Sequence, residues 1–283
     1  MKIGFNMLLW TTHIVEEHFP LFEQLKQAGY DGVEIPVFEG DVAHFQKVSK
    51  VLKDTGLTAT AISVIPDQQH NPISAEAGHR EAAVDYFKWV IDCSKALCAN
   101  MLSGPIYQPL GAFTGNGPTE QEKQHGSEVH RRAAEYAAEA DITIALEYLN
   151  RFECYFLNTM SDAVDYVRRV DHPRLGILYD TFHANIEEKD PVGCIGPNID
   201  YIKHVHISEN DRGTPGKGHI DLPATFKALR RSGYDGWLAV EAFGRALPDL
   251  AAATRVWRDF FASPEEVFTE AAKFVKQQWE AAT

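Results

Sequence analysis

Four residues in the second half of the chain, Glu147, Asp180, His206 and Glu241, each stand near the end of a short apolar run: "ITIALEYL", "RLGILYD", "IKHVHIS" and "WLAVEAF". They are separated by roughly thirty residues, the length of one strand-helix unit. If the runs are neighbouring strands, three carboxylates and one imidazole converge on one spot, and they repel unless a cation or protons neutralise them. A divalent metal is the natural solution. Three hard oxygens and an imidazole, without thiolate, suit Mn²⁺, Mg²⁺ or Co²⁺ better than structural zinc. Each residue alone has a plainer reading. Glu147 or Glu241 would be a rim ion pair, Asp180 an N-cap for the next helix, His206 a hydrogen-bonded core histidine. Four such coincidences at four successive strand ends are less economical than one site. His204 lies two residues before His206 and shares its strand face, as a support behind the site or as a core histidine.

The elements that must position these groups alternate along the whole chain. "KIGFNMLL" precedes an amphipathic helix ended by Gly29, and "DGVEIP" precedes a helix over Val42–Thr55 ended by Gly56. "LTATAISVI", a helix from Ala75 to Leu97 and "NMLSGPIY" follow, then a glycine-rich loop at Gly111–Gly117 and the helix "HRRAAEYAAEA". The second half continues with helices at Ser161–Val170, Ile195–Tyr201 (short) and Leu222–Ser232. Eight apolar strands, rich in Ile, Val, Leu and Ala and lacking a polar face, suit a parallel sheet covered on both sides. Eight such units in about 250 residues predict an α/β fold, a closed (β/α)₈ TIM barrel, whose chemistry sits at the C-terminal ends of the strands. An open doubly wound sheet is disfavoured because the first βα turn lacks GxGxxG. No Pro- or Ser-rich linker interrupts the pattern, so residues 1–283 are expected to form one barrel domain, with an extra C-terminal helix from Pro264.

Composition narrows the partners. The chain has 283 residues, 27 Lys plus Arg against 40 Asp plus Glu, and a formal charge of −13, which disfavours a nucleic-acid partner. No run approaches the ~18 apolar residues of a membrane span, and "MKIGFNMLLWTTH" reads as a first strand rather than a signal peptide. Cys93, Cys98, Cys154 and Cys194 contain no CxxC pair and are expected to be reduced thiols in a cytoplasmic protein. Gly213, Gly216 and Gly218 around Lys217 do not meet GxxxxGK[ST], so a lid or plain turn is expected there.

"EYLNRFECYFLNT", "DTFHANIEE", "HVHISENDRGTPGKG" and "VEAF" followed by "VWRDF" resemble segments of the D-tagatose 3-epimerase and D-psicose (allulose) 3-epimerase family, within the xylose isomerase-like barrels. The likeness is specific from Ala145 to Phe260; in the first half mainly "AGYDGVEIP" fits. The resemblance implies that Glu147, Asp180, His206 and Glu241 bind a divalent ion, usually Mn²⁺, and that the two glutamates handle protons. It further implies that Glu153, His183 and Arg212 hold a ketose near its carbonyl end, and that the protein is a homodimer or homotetramer. The family commonly walls the far end of the sugar with aromatics, where this chain has Asn6 and Ile14. Trp10, Tyr107 and Phe113 are expected as replacements.

Inverting a carbon beside a ketone requires taking its proton to give an enediolate and returning a proton to the opposite face. Charge develops on oxygen, where a cation acts as Lewis acid, and two bases are needed on opposite sides. Glu147 and Glu241, from different arcs of the rim, would flank the substrate; Arg212 and His183 would stabilise oxygen charge, and Glu153 would fix a hydroxyl. The nearest rival is an aldose–ketose or inosose isomerase on the same scaffold. A phosphodiesterase would need more histidines and a basic groove, and a non-catalytic sugar-binding barrel would not need the complete ligand set.

Overall fold

A computed structural model describes residues 1–282. Eight strands, β1 (Lys2–Asn6), β2 (Gly32–Pro36), β3 (Thr58–Ile62), β4 (Met101–Gly104), β5 (Thr143–Glu147), β6 (Leu175–Asp180), β7 (Ile202–Ile207) and β8 (Trp237–Val240), close in chain order. Every pairing is parallel, including β1 with β8. Nearly every strand residue is buried, as a sheet wrapped by helices requires. One irregularity, a register shift at Ile177/Leu178, sets Asp180 beside His206 on the neighbouring strand.

The outer layer comprises α1 (Phe19–Ala28), α2 (Val42–Thr55), α3 (Ala77–Ala96), α4 (Glu120–Glu139), α5 (Met160–Val170), α6 (Thr181–Glu187), α7 (Leu222–Arg231), α8 (Pro248–Thr254) and α9 (Pro264–Ala281). Their starts follow local chemistry. Asp41 caps α2 through His44 N–H, and Thr119 with Glu122 and Thr159 with Asp162 form capping boxes on α4 and α5. Helix α4 begins ten residues before the "HRRAAEYAAEA" stretch, because that capping box starts it at Glu120. Helix α9, the expected C-terminal helix, packs on the barrel's outside against α1, α7 and β1, burying Val267, Phe268, Ala271 and Val275. Tyr30 Oη donates to the Phe268 carbonyl at 2.8 Å, tying the tail to the start of the chain. At Gly104 the chain turns out of β4 with φ +123°, and a Cβ there would lie 2.1 Å from the Ser63 carbonyl oxygen, so only glycine fits.

Candidate metal centre and cavity

Glu147 and Asp180 are the last residues of β5 and β6, His206 is the penultimate residue of β7, and Glu241 follows β8 directly. All four are buried, and one ligand atom from each lies within 4.8 Å of every other. His206 Nδ1 is 3.3 Å from Glu241 Oε1, 3.7 Å from Glu147 Oε1 and 3.8 Å from Asp180 Oδ2. The imidazole is aimed by its other nitrogen, because Nε2–H donates to Glu34 Oε2 at 2.7 Å. Nδ1 is therefore the nitrogen that faces the three carboxylates, buried and without a hydrogen-bond partner, where a cation would take the place of its proton. Three carboxylates and an imidazole nitrogen converging, with Arg212 and Asn6 the side-chain donors among them, fit a divalent cation, with oxygen ligands predominating.

Asp180 unites the two readings open to it. Its Oδ1 caps α6, accepting Phe182 N–H at 2.6 Å and His183 N–H at 3.4 Å, while Oδ2 turns toward His206. Burial raises its pKa to about 6 against the pull of Arg212. Burial raises Glu147 well above the ordinary carboxylate range, and the favourable field of His206 does not offset it. Glu241 is also buried, but His206 and Arg212 outweigh that and hold it below the usual range. For His206, burial opposes the charge, yet Glu34 and Glu241 raise the pKa well above normal.

The three residues expected to hold a substrate lie beside this cluster. Arg212, buried and in the left-handed region at φ +63°, donates from Nη1 to Asp180 Oδ2 at 3.1 Å, Ser208 Oγ at 3.0 Å and Glu241 Oε2 at 2.7 Å. Its guanidinium is stacked over Phe182, 3.8 Å from the ring centroid, with Phe243 at 5.0 Å. His183 Nδ1 meets the Asn150 backbone N–H at 3.0 Å, and on its other side Nε2 faces the Arg212 guanidinium, which can only donate. Nε2 is the nitrogen turned toward the cluster. That nitrogen lies 3.6 Å from Glu147 Oε1 and 2.9 Å from Arg212 Nη2. Burial, then the Arg212 charge, keeps His183 neutral by lowering its pKa well below normal. The Asn150 side chain donates to Glu153 Oε1 at 2.8 Å, so one residue orients both neighbours.

Glu147, Glu153, His183, Arg212 and Glu241 face one cavity of about 260 Å³. Its other side is largely apolar, with Leu8, Phe38, Ile62, Phe243 and Leu250, and α8 contributes Leu250, Ala253 and Thr254 to its roof. Leu8, Ile62, Phe243, Ala251 and Val256 pack as an apolar cluster of their own, apart from the main core. A larger groove of about 490 Å³, lined by residues such as Gln68, His125 and Tyr155, contains none of the converging acids. Electrostatics therefore picks the smaller cavity.

The expected aromatic replacements do not line this cavity. Trp10 packs on Phe5 and Phe268, Tyr107 is buried with its hydroxyl near Cys154 Sγ, and Phe113 borders the outer groove. Phe38 and Phe243, contributed by other loops, supply the rings instead. The glycine-rich 213–218 stretch is a turn held by buried Glu209, which accepts Gly216 N–H at 2.9 Å. Sequence reasoning also missed Glu34, a fully buried carboxylate from β2. It accepts from Asn6, Thr60, Ser103, His204 and His206, at 2.7 to 3.2 Å. His204 thus supports Glu34 from behind the cluster. The only signal was a lone acid in an apolar strand.

A closed barrel with this acid-rich mouth belongs to a definable class. The Xylose isomerase-like TIM barrel family profile matches residues 22–278. The Ketose 3-epimerase of Arthrobacter globiformis is 32% identical over 98% of this chain and 96% of its own length. A Probable ketose 3-epimerase of Synechocystis sp. is 30% identical over 99% and 97%, respectively. The crystal structure of D-allulose 3-epimerase from Methylomonas sp. in complex with D-allulose superposes with a TM-score of 0.91 at 26% identity, covering 98% of this chain and 97% of that one. The chain belongs to the ketose 3-epimerase family of xylose isomerase-like barrels, which are isomerases. Among the described residues, no helix is long and apolar enough to cross a membrane.

Proposed function

We propose that this chain is a divalent-metal-dependent 3-epimerase of free, non-phosphorylated ketoses. The observation that carries the reading is that Glu147 and Glu241 reach the same cavity from different strands, with His206 and Asp180 between them. Glu147, Asp180, His206 and Glu241 would hold the cation, with Mn²⁺ the first choice and Mg²⁺ or Co²⁺ the alternatives. When bound, it supplies Lewis-acid stabilisation of charge developing on oxygen. One glutamate takes the C3 proton, and the C3–H electron pair becomes the double bond of a cis-enediolate. The other returns a proton to the opposite face. Arg212, with His183 beside it, stabilises oxygens that gain charge, and Glu153 accepts from a sugar hydroxyl. The apolar roof keeps water from misdirecting these protons during a turnover, and the glutamates re-equilibrate with solvent between turnovers.

A non-phosphorylated substrate is favoured because Arg212 is the only cationic side chain among the described cavity residues and is already engaged by Asp180 and Glu241. A phosphate would require further donors. By analogy with the family, a homodimer or homotetramer in the cytoplasm completes the reading.

The test is a panel of free ketoses incubated with enzyme in D₂O, with Mn²⁺ or with excess chelator. Deuterium should enter at C3 of the recovered ketose, and chelator should abolish the exchange. Label confined to C1 or C2, accompanied by aldose, would instead establish an aldose–ketose isomerase.

A further inference from the structure

Asn6 ends β1 and is fully buried. Its Oδ1 accepts the Leu8 backbone N–H at 2.9 Å and so caps the short 3₁₀ turn at Met7–Leu9. That contact fixes the side-chain amide and points Nδ2 away from the turn. The two Nδ2 hydrogens go to Glu34 Oε2 at 3.0 Å and Glu241 Oε1 at 3.0 Å. A cap needs only the acceptor. The donor half of the amide therefore has a separate task, which is to bridge two buried carboxylates.

The bridge closes a ring. Glu34 orients His206 through Nε2, Asn6 joins Glu34 to Glu241, and Glu241 Oε1 returns to within 3.3 Å of His206 Nδ1. Glu241 is thereby held at both oxygens, by Asn6 and by Arg212. Glu147 has only longer approaches, at 3.6 and 3.7 Å, to His183 and His206. The two glutamates are thus unlike in their freedom to move.

We infer that Asn6 is a positioning residue that sets the Glu241 carboxylate for both cation binding and proton transfer, leaving Glu147 as the adjustable partner. The inference rests on the function proposed above and adds to it a residue outside both the four converging groups and the cavity lining. Groups that orient ligands from behind commonly govern metal affinity as strongly as they govern rate.

Asn6→Ser separates the two roles. Serine caps a turn well but is too short to span both carboxylates. Calorimetric titration of chelator-stripped protein with Mn²⁺ alone should show binding weakened by about 10- to 100-fold, in a stripped variant that still melts cooperatively. The kcat for the preferred ketose should fall by about 10-fold or more while KM stays within about threefold, as expected for loss of an interaction realised in the transition state. Mn²⁺ binding weakened by less than tenfold in the folded variant overturns the inference. So does a loss of activity carried by KM alone. Should Asn6→Ser fail to fold, Asn6→Thr, another capping residue of short reach, is judged by the same two readouts. Native protein that binds no Mn²⁺ would overturn the metal reading as well, so the two failures are told apart by the native titration.

Discussion

Arg212 Nη1 lies 2.7 Å from Glu241 Oε2 in a pair whose two partners are both buried. The same nitrogen reaches Asp180, so one guanidinium balances two of the three carboxylates that face His206. Neither acid could remain ionised there unpaired, since burial alone would push both toward the protonated form.

Arg212→Leu should therefore destabilise the chelator-stripped protein by about 3–5 kcal/mol, the usual consequence of removing one partner from a buried pair. Saturating Mn²⁺ should recover part of that loss by neutralising the orphaned acids. Urea denaturation with and without the ion measures the difference; equal losses in both would show that the arginine acts by packing on Phe182 rather than by charge.

Asp180 offers a finer dissection, because its two oxygens are divided between the α6 cap and the acid cluster. Asp180→Asn retains an N-capping side chain, whereas Asp180→Ala does not. Both should lose Mn²⁺ binding, and the alanine variant should be less stable than the asparagine variant by about 0.5–2 kcal/mol. Equal melting curves for the two would dismiss the cap.

The acid cluster also sets a pH dependence. Asp180, raised to about 6 by burial despite Arg212, and Glu147, raised well above the ordinary range by burial, hold protons in the folded metal-free chain that the unfolded chain has released. The contribution of Asp180 to stability is complete below the unfolded carboxylate range and is lost as pH rises through about 6, and that of Glu147 is lost over its own raised range. Glu241, whose pKa is lowered, is already ionised in that window. Cation replaces the missing protons, so the gain in melting temperature on adding Mn²⁺ should grow between about pH 5 and pH 7.5. A gain independent of pH would contradict the assignment of these acids as ligands.

Asn150→Ala removes the side-chain donor to Glu153, together with the amide's 3.0 Å contact to His183 Nδ1, but keeps the backbone N–H that meets His183. KM for the ketose should rise by about 10-fold, consistent with loss of one hydrogen bond to a charged group, while Mn²⁺ affinity stays unchanged. A weaker metal site in this variant would show that Glu153 belongs to the acid cluster rather than to the sugar pocket.

The barrel and the four convergent groups were legible because the signal is local and repeated: an apolar run, then an acid or histidine, at the spacing of one βα unit. The helix at Val42–Thr55 was equally plain, bounded by Asp41 and Gly56. The Thr119–Glu122 capping box that starts α4 was present in the sequence and went unread. Glu34, Asn6, Thr60 and Ser103 carry no such local mark, because the bonds that link them to one another and to Glu241 join residues from 26 to 235 positions apart. Within a strand buried on both faces, an inward polar residue cannot be told from an outward one by alternation. The aromatic wall was misassigned for a similar reason: Trp10 and Tyr107 found partners elsewhere in the core, and the rings at the cavity came from the segments after β2 and β8.

The apolar patch that joins α8 to Leu8, Ile62 and Phe243 is separate from the packing that holds the staves together. Access and endurance can consequently be tested apart. Loosening the contacts of Leu250 should quicken the entry and escape of a sugar while the barrel melts where it did before, and an engineer seeking faster release can begin at that helix without weakening the frame beneath it.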